Sequence, residues 1–247
     1  MNREQDENNE PFITGIFNYC DRWCERCAFT SKCRTFAMEE EMDIHKDGSD
    51  FSVAEFADML ENLLDATIDL LHEKAEELGV DLNEIKDDDN FEENRKVEKL
   101  INESTDCAVA SKKYIKLVNE WFDNPNHETE EIAVENNTIK EKFALKIIDS
   151  IEVIRWYQHQ IYVKIMRALS GEDREEDEEF QSDSDGSAKV ALIGIDNSIS
   201  AWGNLLMNFT DNDNSIFNIL VHLVDLQHAV EEKFPKARSF VRPGFDE

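Results

Sequence analysis

The sequence predicts an all-α protein, a bundle of four to five long antiparallel helices with a small N-terminal cysteine-rich metal-binding segment. Three observations carry this. Apolar residues recur at helical spacing over long windows. No stretch shows the two-residue alternation of a half-buried strand. Four of the five cysteines fall within residues 20–33.

Taken in order, residues 1–10 are polar and acidic and are expected to be a disordered tail. Residues 11–37 form the cysteine segment, with Phe12, Ile13, Ile16, Phe17, Tyr19, Trp23 and Phe29 as packing residues. A stretch this short holds no core of its own, so it docks on the bundle or relies on a metal. Residues 39–50 read as an acidic linker, and residues 50–247 as the bundle. Ser52 and Glu55 form a capping box for a helix whose apolar stripe includes Phe56, Leu60, Leu63 and Leu71, with Gly79 as its stop. An acidic loop over residues 81–93 leads to a helix over 96–122, with Val97, Leu100, Ile101, Tyr114, Val118 and Trp121 inward. Asn124 and Pro125 break it. Thr138 and Glu141 cap the longest helix, which runs to about residue 169. Nine of the fourteen residues over 172–185 are Asp or Glu, the mark of a solvated linker. Helices over 188–209 and 216–234 complete the chain.

The cysteines are spaced Cys20-x3-Cys24-x2-Cys27-x5-Cys33. If residues 20–27 are helical, the first three thiols share one face and Cys33 closes the site from a loop. Structural zinc usually takes two short cysteine pairs held apart by a dozen residues or more. Compact runs of cysteines are commoner around iron-sulfur clusters, though this spacing matches neither ferredoxin pattern. The expected cofactor is therefore an iron-sulfur cluster or zinc. Arg22, Arg26, Lys32 and Arg34 crowd the same stretch of a chain with 26 basic and 56 acidic residues. Basic neighbours favour thiolates and offset the charge of a four-thiolate site.

The net charge of -30 argues against nucleic acid and against an anionic membrane as partner, and favours a basic protein. The N-terminus has no basic, then apolar, signal pattern, and no apolar run is long enough to span a bilayer, so a cytoplasmic protein is expected. Cys107 stands alone in a helix and reads as a small buried side chain.

On the longest helix, a wheel places Lys146, Asp149, Ser150, Gln160, Lys164 and Arg167 toward solvent. It places Ile148, Ile151, Tyr162, Ile165, Met166 and Arg155 inward. Glu152 is then the natural in-helix partner of Arg155, with His159 on the flank; the three form either a structural ion pair or a polar pocket for a ligand. A carboxylate-bridged di-metal site needs inward Glu-x-x-His pairs. The chain offers only Asp69 with His72 and Asp225 with His228, both on polar faces. No phosphate loop, nucleophile elbow or His-Glu-x-x-His motif occurs. The functional readings are a four-cysteine iron-sulfur protein for electron transfer or redox sensing, a zinc-stapled interaction module, and, behind these, the di-metal bundle.

Overall fold

The computed structural model describes residues 12–41, 68, 72, 91–124, 138–171, 182–208 and 214–246. Among these there are six α-helices and no strand: α1 (Arg34–Glu41), α2 (Phe91–Glu103), α3 (Asp106–Phe122), α4 (Thr138–Ser170), α5 (Asp183–Asn208) and α6 (Ser215–Lys233). The chain divides into two compact units, one of Met1–Phe36 with Val97–Glu247 and one of Ala37–Lys96. The expected helix over 52–79 falls in the second unit and outside the described residues, apart from Ile68 and His72, both helical.

The first unit is built on a ring of four helices, with α3 against α4 and α6, and α5 against α4 and α6. Side-chain pairs fix the directions. Gln158 Nε2 of α4 donates to Asn119 Oδ1 of α3, while Lys112 of α3 stands over the Tyr162 ring further along α4. Asn204 of α5 reaches Ser150, and Asn197 reaches Tyr157. Both pairings run oppositely along the two helices, so α4 is antiparallel to α3 and to α5, as expected. The core is apolar and closed: Ile154, Ile161, Ile165, Leu192, Ile195, Trp202, Leu223 and Leu226 are at most 1% exposed. Each contributes about 1.5–3 kcal/mol by leaving water. At its centre Trp202 Nε1 donates to Tyr114 OH at 3.1 Å, and burial pushes that phenol up to about 12. Gly194 lets α5 approach α4, since a Cβ there would stand 2.9 Å from the Tyr157 ring.

Four expectations need correction. The helix expected over 96–122 is two helices, because Ser104 Oγ and Thr105 Oγ1 bond the carbonyls of Ile101 and Asn102, both at 2.7 Å. Such local bonds compete with the helical ladder, and Thr105 is extended. Before that break the stripe is not buried, with Val97, Leu100 and Ile101 at least half exposed, whereas Tyr114, Val118 and Trp121 beyond it are inward as expected. The acidic linker ends earlier than its charge suggests. Ser182 Oγ accepts the Ser184 and Asp185 N–H groups at 3.2 and 3.4 Å, and Asp183 and Asp185 occupy the first turn of α5. A hydroxyl cap and acids at a helix N-terminus stabilise it. Similarly, α1 occupies the beginning of the expected linker at residues 39–50.

The fourth correction concerns α4. Asp149, Glu152, Arg155, His159 and Val163 form its exposed stripe, and Ser150 and Lys164 are buried. The N-terminal segment lies against Gln160, Lys164 and Arg167, so Lys164 is buried and the other two are only partly exposed.

Candidate metal centre

Residues 12–33 are not a continuous helix but three 3-10 turns, Ile16–Tyr19, Cys24–Arg26 and Thr30–Lys32. Cys20, Cys27 and Cys33 each follow a turn in extended backbone, and Cys24 opens the second one. A left-handed residue, Arg22 at φ 60°, separates the first two turns. Stacking of thiols on a helix face, expected from the spacing, is therefore replaced by presentation from successive turns.

This lobe docks on α4 by specific contacts. Trp156 Nε1 and Gln160 Nε2 both donate to the Asp21 carbonyl, at 3.1 and 2.8 Å, and Tyr157 OH donates to the Asp21 carboxylate at 2.5 Å. Burial, then that carboxylate, holds the Tyr157 hydroxyl far above its ordinary value. Arg167 donates to the Asn18 carbonyl at 3.1 Å and to Asp183 at 2.9 Å. Arg26 binds Asp149 at 2.7 Å and also Glu152. Its charge is thereby engaged with α4. The C-terminal segment completes the wall, with the Phe245 ring edge-on to Phe29 at 5.0 Å and the Phe240 ring 4.7 Å from Tyr19.

All four cysteines of the lobe, Cys20, Cys24, Cys27 and Cys33, line one cavity, together with apolar side chains that include Ile16, Phe29 and Phe245. Its empty space is about 330 Å³ including the open mouth, of which about 30 Å³ admits the centre of a water molecule. The four are half-buried, and none of the five cysteines forms a disulfide. Among the described residues no three His, Cys, Asp or Glu side chains converge as the ligands of one ion do. Burial raises the Cys20 thiol above its ordinary value, opposed by the Arg22 N–H and by the charges of Lys164 and Arg22. The Phe29 N–H donates to Cys27 Sγ at 3.4 Å. A second, larger cavity shares Cys20 and Cys27 and lies against Val190 and Ile193 of α5.

The other expected sites are not assembled. Glu152, Arg155 and His159 are all exposed, so these three do not form the expected inward polar strip. Arg155 instead lies 3.7 Å over the Phe122 ring, and Glu152 pairs with Arg26. Asp225 and His228 are exposed on α6, as is His72, while Asp69 lies outside the described residues. Cys107 is buried, as expected, beside Thr105 Oγ1 at 3.6 Å. Residue spacing gave no sign of Lys164, Tyr157 or Phe245 at the cysteine lobe. Only the surplus of polar residues on an otherwise apolar α4 could have pointed to a docked segment.

Among the described residues no helix is long and apolar enough to cross a membrane. No protein-family model, curated protein or solved structure matches the chain. The fold and the lobe together define a helical-bundle protein that carries its N-terminal cysteines around one cavity.

Proposed function

We propose that Cys20, Cys24, Cys27 and Cys33 hold an iron-sulfur cluster, and that the protein transfers electrons or senses redox state in the cytoplasm, docking a basic protein partner. The observation that carries this reading is the common cavity of the four thiols. A zinc ion draws its sulfurs to about 2.3 Å from a single point. A cluster is ligated at separate irons, so thiols bordering a cavity suit it better. Backbone N–H groups reaching Cys20 and Cys27 are the kind of contact that tunes a cluster's potential. Thiols without disulfides suit a reducing compartment, and the charge of -30 suits a basic partner.

Anaerobic purification of the full chain, with iron, sulfide and zinc analysis and a visible spectrum, tests the reading. Iron with acid-labile sulfide, lost in each single Cys→Ser variant of the four and retained in Cys107→Ser, is the expected result. Stoichiometric zinc without sulfide would replace the cluster by a zinc staple and leave an interaction module. Absence of both metals, with all four thiols fully reactive, would remove the metal centre altogether.

A further inference from the structure

α4 lies over the cysteine lobe with one face, and its contacts run backwards along the lobe as the helix runs forward. Gln160 donates to the Asp21 carbonyl, and Arg167 donates to the Asn18 carbonyl. Lys164 stands four residues after Gln160 and three before Arg167, on the same face. It therefore meets the lobe between Asp21 and Asn18, where Cys20 is. The side chain is largely out of water, with the residue only 7% exposed.

A buried ammonium calls for a counter-charge. The charged groups around it are Arg167 on its own helix and Cys20, Asp21 and Arg22 from the lobe. Asp21 is engaged by Tyr157 and Asp183 by Arg167. Among the described residues no carboxylate forms an ion pair with Lys164. Cys20, whose thiol donates to the Phe17 carbonyl at 3.4 Å, would bring negative charge to this point as a cluster ligand.

We infer that Lys164 is the counter-charge of the Cys20 corner of the site, a positioning residue that stabilises added negative charge on the occupant and so raises its reduction potential. The inference rests on the cluster reading above. Net charge and nearby dipoles are among the terms that set a cluster's potential. A fixed cation close to one ligand favours the reduced, more negative state. Arg22 and Arg167 flank it, the latter paired with Asp183.

The test uses full-length Lys164→Met and Lys164→Arg, purified anaerobically beside the parent, with iron and sulfide per chain measured first and the midpoint potential second. The expected result is that Lys164→Met keeps its helix content and has a lower potential. At the parent's midpoint its reduced-to-oxidised ratio should fall about tenfold, which is 59 mV for a one-electron couple. Lys164→Arg should stay within about twofold of the parent. Loss of the cluster in Lys164→Met but not in Lys164→Arg would equally support the counter-charge. Equal potentials in all three proteins, or loss of the cluster from both variants, would overturn it. Zinc without sulfide in the parent defeats the cluster reading separately, and zinc retention against a chelator then tests Lys164. Equal retention in the three proteins overturns the inference, and weaker retention in Lys164→Met alone supports it. A parent with no metal overturns both.

Discussion

Trp23 stacks on Trp156, with ring centroids 4.8 Å apart and planes 16° from parallel, and so ties the residue before Cys24 to the middle of α4. The guanidinium of Arg26 lies 4.0 Å from the Trp23 ring centre. Aromatic pairs contribute about 0.5–1.5 kcal/mol beyond their buried area. Trp156 also donates to the Asp21 carbonyl, so it holds the lobe in two ways.

Trp156→Ala should therefore loosen the lobe without unfolding the bundle. In chelator-treated protein, the four lobe thiols should react with a disulfide reagent about tenfold faster, as expected for a loss of about 1.4 kcal/mol. Circular dichroism should show unchanged helix content. An unchanged thiol rate would mean that the stack does not hold the lobe.

Two glycines of α5 should respond to alanine with opposite signs. A Cβ on Gly186 would stand 2.6 Å from Tyr19 Cδ1 and 2.7 Å from Phe240 Cζ, whereas one on Gly203 meets nothing within 4 Å. Gly186→Ala is expected to cost about 1–3 kcal/mol by overpacking. Gly203→Ala should add about 0.5–1 kcal/mol from helix propensity. Urea unfolding of the two variants beside the parent checks both, and a shared sign would contradict the packing described.

Tyr114 governs the alkaline limit of the core. Its phenol is raised from an ordinary value of 10 to about 12, so above pH 10 the unfolded chain releases a proton that the folded chain keeps. Stability is complete below pH 10 and falls by about 1.4 kcal/mol per pH unit between the two values. Tyr114→Phe should be about 1 kcal/mol less stable at pH 7, having lost the bond from Trp202. That deficit should shrink between pH 10 and 11. A deficit that stays constant with pH would show that the phenol ionises freely in the fold.

Asp246 fastens the C-terminal segment, accepting from the Arg242 side chain at 2.9 and 3.1 Å and from Lys189 at 2.8 Å. These contacts, the Arg242 guanidinium first, hold its carboxyl well below the usual carboxylate range. The stabilisation is present above the unfolded value near pH 4 and is lost only as pH falls through the lower, folded value. Asp246→Asn should raise amide hydrogen exchange of the Arg242 N–H on the order of tenfold at pH 7. The ratio of variant to parent should hold down to about pH 4 and close in stronger acid. A ratio that closes already at pH 5 would contradict the clasp.

Helix positions were largely legible because long apolar periodicity is local information: α4 and α6 begin and end within a residue or two of their expected bounds. Which face of α4 turns inward was not legible. Gln160, Lys164 and Arg167 look solvated on a wheel, yet they serve the backbone carbonyls and the Cys20 corner of a segment about 140 residues earlier. Arg155, counted as buried, is exposed and lies over the Phe122 ring. The cysteine spacing grouped four residues that do line one cavity, but it pointed to the wrong backbone. A helix and a series of 3-10 turns can both gather thiols, and spacing alone does not separate them.

Phe245 walls a cavity whose other sides are made by residues 16–36, and this sets an order of events during synthesis. At about 5–20 residues per second, a ribosome takes roughly 10–40 s to go from Cys33 to Phe245. Until Phe245 has emerged, the four thiols lack the wall that finally encloses them. The enclosed cavity thus forms only after translation, and in the meantime the thiols depend on the reducing power of their surroundings.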